Sequence, residues 1–319
     1  MNTPQSQEAF RLDGKRIWIA GHRGMVGSAV VRLLESTASP AAVITATHSE
    51  LDLARQREVE DFVAATRPDL VILAAATVGG IHANDRHPVE FLYDNLMIQS
   101  NVIRAAAEQG VSKLVLLGSS CIYPKFAPQP IPESALLTGA LEETNQWYAV
   151  AKISGLKLCE AYRRQYGKDF ISLMPTNLYG PGDNYSPEQS HVIPALLRKA
   201  HEAKQAGASC LSVWGSGQAR REFLHVDDLA RAILFLAERY SGLEHINVGS
   251  GEELSIAELA EVISQVVGFD GELVFDTSKP DGTPRKLLDT SHLFSMGWRP
   301  SIELRRGLEE TYALARDVF

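Results

Sequence analysis

The sequence predicts an α/β fold, a doubly wound parallel sheet with a smaller C-terminal α/β part closing over it. Three observations carry this. Short apolar runs alternate with helix-length segments from Arg16 onward. The first run opens straight into a glycine-spaced turn. After about residue 180 the alternation gives way to loops rich in Gly, Pro, Asn and Ser. Strands separated by helices of this length form βαβ units, and βαβ units make parallel sheets.

Taken in order, residues 1–12 read as a loose polar lead-in without an apolar signal core. Arg16–Ala20, RIWIA, is a buried strand closed by glycine, and Gly24 to Ser36 has helical periodicity. AAVITAT is a second strand, REVEDFVAATR a helix, and DLVILAAA a third strand. FLYDNLMIQSNVIRAAAEQG is a helix with a glycine stop, and KLVLLGSS is a fourth strand. YAVAKISGLKLCEAYRRQYG is a long helix ending at Gly167, and DFISLMPTNLYGP begins as a further strand. Helices recur over 191–206, 227–240, 255–267 and 302–316. The expected division is a nucleotide-binding domain over 13–180, to which some later segments return, and a mainly substrate-binding domain over 181–319.

Composition excludes several classes of function. With 319 residues, 45% of them hydrophobic, the chain can bury a sizeable core. A net charge of −8 argues against a nucleic-acid binder. No run of 18 apolar residues offers a membrane span. Cys121, Cys159 and Cys210 are odd in number and form no CxxC pair, so neither a disulfide framework nor a metal site is expected. The reading is a soluble protein of the cytoplasm.

The turn after the first strand reads Gly21-x-x-Gly24-x-x-Gly27. The first glycine permits the tight turn, the second lets backbone approach a pyrophosphate, and the third lets helix and strand pack closely. The helix N-terminus adds the positive end of a dipole. This is a Rossmann-type dinucleotide site. An NAD site offers a carboxylate at the end of the second strand for the ribose 2′-hydroxyl. Here Ala46, Thr47, His48 and Ser49 precede the first acid, Glu50, while Arg23 in the loop can meet a 2′-phosphate. NADP(H) is therefore the expected cofactor.

WYAVAKISG places Tyr148 and Lys152 four residues apart, on one helical face. An ammonium beside a phenol stabilises phenolate, which makes tyrosine a proton carrier near neutrality. Ser119, at the end of the fourth strand, can hydrogen-bond the same substrate oxygen. The glycine loop, Ser119 and the Tyr148–Lys152 pair together resemble the extended short-chain dehydrogenase/reductases. Members that dehydrate nucleotide sugars carry an Asp-Glu pair after the serine, and here Ser120 and Cys121 stand there. Dehydration is thus disfavoured. A thiolate at Cys121 can instead remove a proton from a carbon next to a ketone. His191, at the start of a helix after a polar loop, is the candidate partner acid.

Eight segments carry a closer resemblance: AGHRGMVGSA, AAATVGGIHAN, GSSCIYPK, YAVAKISGLKLCE, MPTNLYGPGDN, SHVIPALLRK, VWGSGQARREFLHVDD and KPDGTPRKLLD. They resemble the GDP-L-fucose synthase family from about residue 14 to the C-terminus. The resemblance implies epimerisation at C3 and C5 of a GDP-4-keto-6-deoxy sugar, with Cys121 as base and His191 as acid. Reduction at C4 by NADPH follows, with Tyr148 as proton donor assisted by Lys152 and Ser119. It implies a cofactor site at Gly21, Arg23, Gly24, Met25, Val26, Gly27 and His48, together with Tyr148 and Lys152. It implies substrate contacts at Asn177, Arg198, Trp214, Arg221 and Lys279, Arg285 being an alternative to Lys279. Ala46 and His48 stand where members can carry phosphate-clasping arginines, which weakens the preference for NADP over NAD. It also implies a homodimer through the helices around 91–109 and 146–166. The competing readings are a GDP-L-colitose synthase using the same chemistry on a 3,6-dideoxy sugar, a redox-silent regulator, and a simple 4-epimerase. The intact Ser-Tyr-Lys set disfavours the regulator, and Cys121 with His191 disfavours the epimerase.

Overall fold

A computed structural model describes residues 10–37, 40–186, 190–279 and 281–319, with the side chains of Ile81 and His82 outside the description. Most of the predicted lead-in, residues 1–9, lies outside the described residues. The first half runs β1 (Arg16–Ala20), α1 (Met25–Thr37), β2 (Ala42–Ile44), α2 (Gln56–Thr66), β3 (Leu70–Leu73), α3 (Ile81–Arg86), α4 (Pro88–Glu108), β4 (Lys113–Leu117), α5 (Gln146–Tyr166) and β5 (Asp169–Pro175). The second half runs β6 (Asn177–Tyr179), α6 (Val192–Gln205), β7 (Cys210–Trp214), β8 (Arg220–His225), α7 (Val226–Arg239), β9 (Ile246–Val248), β10 (Glu253–Ser255), α8 (Ile256–Val267), β11 (Glu272–Asp276), β12 (Arg285–Lys286), α9 (Ser291–Ser295) and α10 (Leu304–Ala315).

Six strands form one sheet in the order β2-β1-β3-β4-β5-β9, and every pair in it is parallel. The doubly wound parallel sheet is therefore as predicted. Its strands are apolar on both faces because both faces are covered by helices. In β1, Ile17 and Ile19 point into a core shared with α1 and α7, while Trp18 and Ala20 point into one shared with α2 and α4. The strand β9 comes from beyond residue 240, so the chain returns to this sheet after building its second part.

The second part is a small sheet of β10-β8-β12, with β6 also paired to β8, and a separate β7–β11 pair. It packs α6, α8 and α10 around Tyr179, Leu196, Leu197, Phe223, Leu259 and Leu308. Because β6 follows β5 with one residue between, the small sheet starts at the edge where the large one ends. The predicted helices of this half are present within a few residues of their expected bounds.

Helix α4 begins at Pro88, three residues before the predicted start, because a proline at the first helical turn loses no hydrogen bond. It packs along α5 at a glycine. A Cβ at Gly155 would lie 2.4 Å from Gln99 Oε1, and the Gln99 carboxamide donates to the Ala151 carbonyl across the same contact. This close approach fixes the face that α5 turns toward β4, and with it the direction of Tyr148 and Lys152.

Candidate active site

A cavity of about 1230 Å³ opens at the C-terminal ends of β1, β3, β4 and β5, where it runs on beneath the small sheet. Open α/β sheets bind ligands at this edge, because strand ends and helix N-termini leave backbone groups facing it. Its wall takes in Gly21, Gly24, Met25, Val26 and Gly27 from the glycine turn.

Two of those glycines are demanded by geometry. Gly21 sits at φ +94°, and a Cβ there would lie 2.6 Å from the Ala75 backbone nitrogen. A Cβ at Gly27 would lie 2.1 Å from the Gly21 carbonyl, so α1 could not approach the turn. At Gly24 the nearest atom would be 3.5 Å away, so the missing side chain leaves the start of α1 open to the cavity. The cradle fits a pyrophosphate on a helix N-terminus.

At the end of β2, Ala46 and His48 line the cavity, followed by Asp52 and Leu53. Glu50 does not. Its carboxylate accepts from the Thr47 backbone N–H and hydroxyl, both at 2.8 Å, and these bonds hold it below the usual carboxylate range. No carboxylate of that turn before Asp52 is left for a ribose. Arg23 is exposed and off the cavity wall, and its charge faces Glu50.

Ser119, Cys121, Tyr148, Lys152 and His191 all line this one cavity. Ser119 caps the short turn that carries Cys121, its Oγ accepting from the Cys121 N–H at 3.4 Å. Lys152 is buried and donates to the Leu117 carbonyl at 3.0 Å, with its ammonium 5.6 Å from the centre of the Tyr148 ring. The sequence led us to expect a phenol made more acidic by that ammonium. The structure has the opposite sign: burial, then the Cys121 charge, push the Tyr148 phenol up. Burial brings Lys152 down to about 8. The reason is that Lys152 is anchored on β4 while the walls exclude water from both groups. Burial also pushes the Cys121 thiol up, against the pull of Lys286, the Ser119 hydroxyl and Lys152. His191 stands just before α6, open to the cavity but ringed by its walls. Burial and then Lys286 lower its basicity.

The family model described as "NAD dependent epimerase/dehydratase family" matches residues 17–249. GDP-L-fucose synthase 1 of Arabidopsis thaliana is 62% identical over 297 residues, which is 93% of this chain and 92% of its own length. GDP-L-fucose synthase of Escherichia coli (strain K12) is 55% identical over 307 residues, 93% of this chain and 95% of its own. The chain belongs to the GDP-L-fucose synthase family. The crystal structure of a GDP-L-fucose synthetase from Naegleria fowleri bound to NADP has a TM-score of 0.89 and 29% identity, covering 98% of this chain and 97% of that one.

The cavity runs on to a far end under the small sheet. Asn177, Trp214 and Arg221 line it. Asn177 Nδ2 donates to the Glu222 carbonyl at 2.8 Å, which fixes its carboxamide against β8. Lys199 and Lys279 hold their ammonium groups 4.7 and 5.5 Å from the centre of the Trp214 ring. Arg198 points elsewhere: its Nε pairs with Glu202 at 2.7 Å and it donates to the Tyr185 carbonyl at 3.1 Å. Neither Arg198 nor Lys279 is on the cavity wall, and Arg285 pairs with Glu253. Asn145 and Lys286 are among the wall residues that the sequence reading did not name. Asn145 Oδ1 is buried with no hydrogen-bond partner among the described residues. It stands three residues before Tyr148, and only that proximity could have marked it. Lys286 is the second, inside a segment already singled out, next to Arg285, the alternative to the chosen Lys279.

Proposed function

We propose that this chain converts GDP-4-keto-6-deoxy-D-mannose to GDP-L-fucose by 3,5-epimerisation followed by NADPH-dependent reduction at C4. The observation that carries the reading is that Cys121 and His191 share one cavity with Ser119, Tyr148 and Lys152. A reductase needs only the last three. A thiol and an imidazole beside them supply the base and acid that inversion next to a ketone requires. Bound at the glycine turn, NADPH supplies the hydride to C4. Ser119 and Tyr148 hold the C4 oxygen, Tyr148 gives it a proton, and Lys152 stabilises the phenolate that remains. Cys121 takes the proton from C3 or C5, and His191 returns one to the opposite face.

Residues 13–180 hold the cofactor in this reading, and 181–319 supply most of the substrate contacts. Lys199, Lys279 and Arg221 give the cationic end for the diphosphate, and Trp214 gives a face for the base. Arg198 is set back from that role by its pairing with Glu202. Arg23, exposed beside the glycine turn, is the residue this reading keeps for a 2′-phosphate. A GDP-L-colitose synthase of Yersinia pseudotuberculosis is 38% identical over 298 residues, against 55% and 62% for the fucose synthases above, so the 6-deoxy sugar is favoured over the 3,6-dideoxy one.

The decisive experiment is turnover in D2O with that substrate and NADPH. The expected result is falling NADPH absorbance and GDP-L-fucose carrying deuterium at C3 and C5. NADPH consumption without carbon-bound deuterium would leave only a 4-reductase.

The working form in this reading is a homodimer in the cytoplasm. Helices α4 and α5 expose Val89, Tyr93, Trp147 and Val150, an apolar set suited to a second copy. All three cysteines are free thiols. No helix among the described residues is long and apolar enough to cross a membrane. Sedimentation of the purified protein is expected to give twice the chain mass, and a monomer at working concentration would refute the dimer.

A further inference from the structure

Lys286 occupies a place that the reaction above does not use. It ends the two-residue strand β12, which pairs in parallel with β8 and sets Lys286 opposite Arg221. Its side chain enters the cavity that holds Cys121 and His191. Among the described residues its ammonium makes no hydrogen bond and no ion pair. Burial, its largest influence, lowers its basicity; among neighbouring charges Cys121 favours its cation, Arg221 opposes it and Glu142 favours it. Glu142 is itself committed to Lys125 at 3.6 Å and to the Thr144 backbone N–H at 3.0 Å. A water-poor cation without an acceptor is costly to bury, and the group in the cavity that can become its counter-ion is a thiolate at Cys121.

We propose that Lys286 is a positioning residue for the epimerisation half, holding Cys121 as the thiolate and sharpening His191 as an acid once that thiolate has been consumed. The proposal rests on the reading of Cys121 as base and His191 as acid. Before the step, thiolate and ammonium form a neutral pair, and imidazolium at His191 is tolerated. The thiolate then takes the proton from the carbon beside the ketone, leaving a thiol and an enolate. The pair has lost its negative member, so the Lys286 charge now acts unscreened on His191. Imidazolium gives its proton to the other face of the same carbon and becomes neutral. The substrate is inverted, no electrons have moved between molecules, and the thiol proton returns to imidazole through solvent, which is where deuterium enters.

Other groups face the thiol and must be kept in view. Ser119 flanks it from the end of β4, and Lys152 and Tyr148 face it from α5. Lys286 is the cation whose charge bears on both the thiol and the imidazole.

The test reads the thiol directly. In a Cys210→Ser background, which removes the exposed thiol, iodoacetamide labelling of Cys121 is followed by mass spectrometry as a function of pH, with no cofactor or substrate present. In Lys286→Met the apparent pKa of Cys121 should rise by about one unit or more, and Lys286→Arg should restore most of the shift. Deuterium uptake by the 4-keto sugar nucleotide without NADPH should fall about tenfold or more in Lys286→Met and recover in Lys286→Arg. An unchanged labelling profile in Lys286→Met would overturn the proposal, whatever happens to turnover. Undiminished exchange in Cys121→Ser would instead overturn the reading of Cys121 as base, so the two failures are separable.

Discussion

Tyr148→Phe is expected to slow NADPH oxidation by about 10²–10⁴-fold while deuterium still enters C3 and C5. The phenol has one task in this site, delivery of a proton to the oxygen that hydride transfer leaves on C4. Burial keeps Tyr148 protonated through neutrality, which is the form that donates. The ring packs edge-on to Phe91, with centroids 6.3 Å apart, so phenylalanine preserves the fit and removes only the hydroxyl. Lys152 adds a pH signature. Its ammonium is brought down to about 8, and an ammonium loses its charge as pH rises through its pKa. Reduction by the wild type should therefore decline above about pH 8, where the phenolate left after donation loses its neighbouring cation. Single-turnover NADPH oxidation, with NMR of the recovered sugar nucleotide, separates the two halves. Loss of deuterium uptake together with reduction would assign Tyr148 to epimerisation as well and sink the division of labour.

What the sequence disclosed depended on how local each signal was. The parallel sheet was legible because every central strand is buried on both faces and reads as an unbroken apolar run, such as LVIL in β3. Tyr148 and Lys152 were legible because four residues is one helical turn. The glycine turn was legible because its spacing repeats a steric requirement, visible here in the 2.1 Å clash that a Gly27 side chain would make. What the sequence left silent has equally local causes. Arg198 and Lys199 are one position apart on α6, a rotation of about 100°, and nothing in SHVIPALLRK tells which of them faces Trp214. Glu202, one turn on, draws Arg198 along the helix surface. Lys286 sits in a strand of two residues whose partner β8 lies more than sixty positions earlier, so no periodicity announces it. Strands β6, β9 and β10, of three residues each, are equally silent. The sign of the Tyr148 shift failed for another reason: sequence spacing gives adjacency, whereas desolvation depends on walls assembled from both halves of the chain.

Cys121→Ser carries the second large effect, because it removes the base without removing the shape. A serine hydroxyl fits the space of the thiol but remains protonated at any pH the fold survives, so deuterium uptake at C3 and C5 should drop by about 10²–10⁴-fold. Hydride transfer does not need that thiol. The slow product should then be a GDP-6-deoxyhexose that keeps the substrate configuration at C3 and C5 and carries no deuterium there. The pH dependence of exchange in the wild type follows from the same groups. Burial pushes the Cys121 thiol up, so its thiolate fraction grows with rising pH. Burial and Lys286 lower the basicity of His191, so its acid form is lost over the same rise. Exchange should therefore pass through a broad maximum in pH: because the thiol titrates above the imidazole, the productive thiolate–imidazolium pair is a minor form, the rise ends where the imidazole titrates and the fall begins where the thiol does. His191→Gln should remove the fall and leave a rise that continues until the thiol has titrated. Mass spectrometry of substrate recovered from D2O across pH, without NADPH, measures all of this. An exchange rate that follows one titration only, unchanged by either substitution, would mean that water, not this pair, moves the protons.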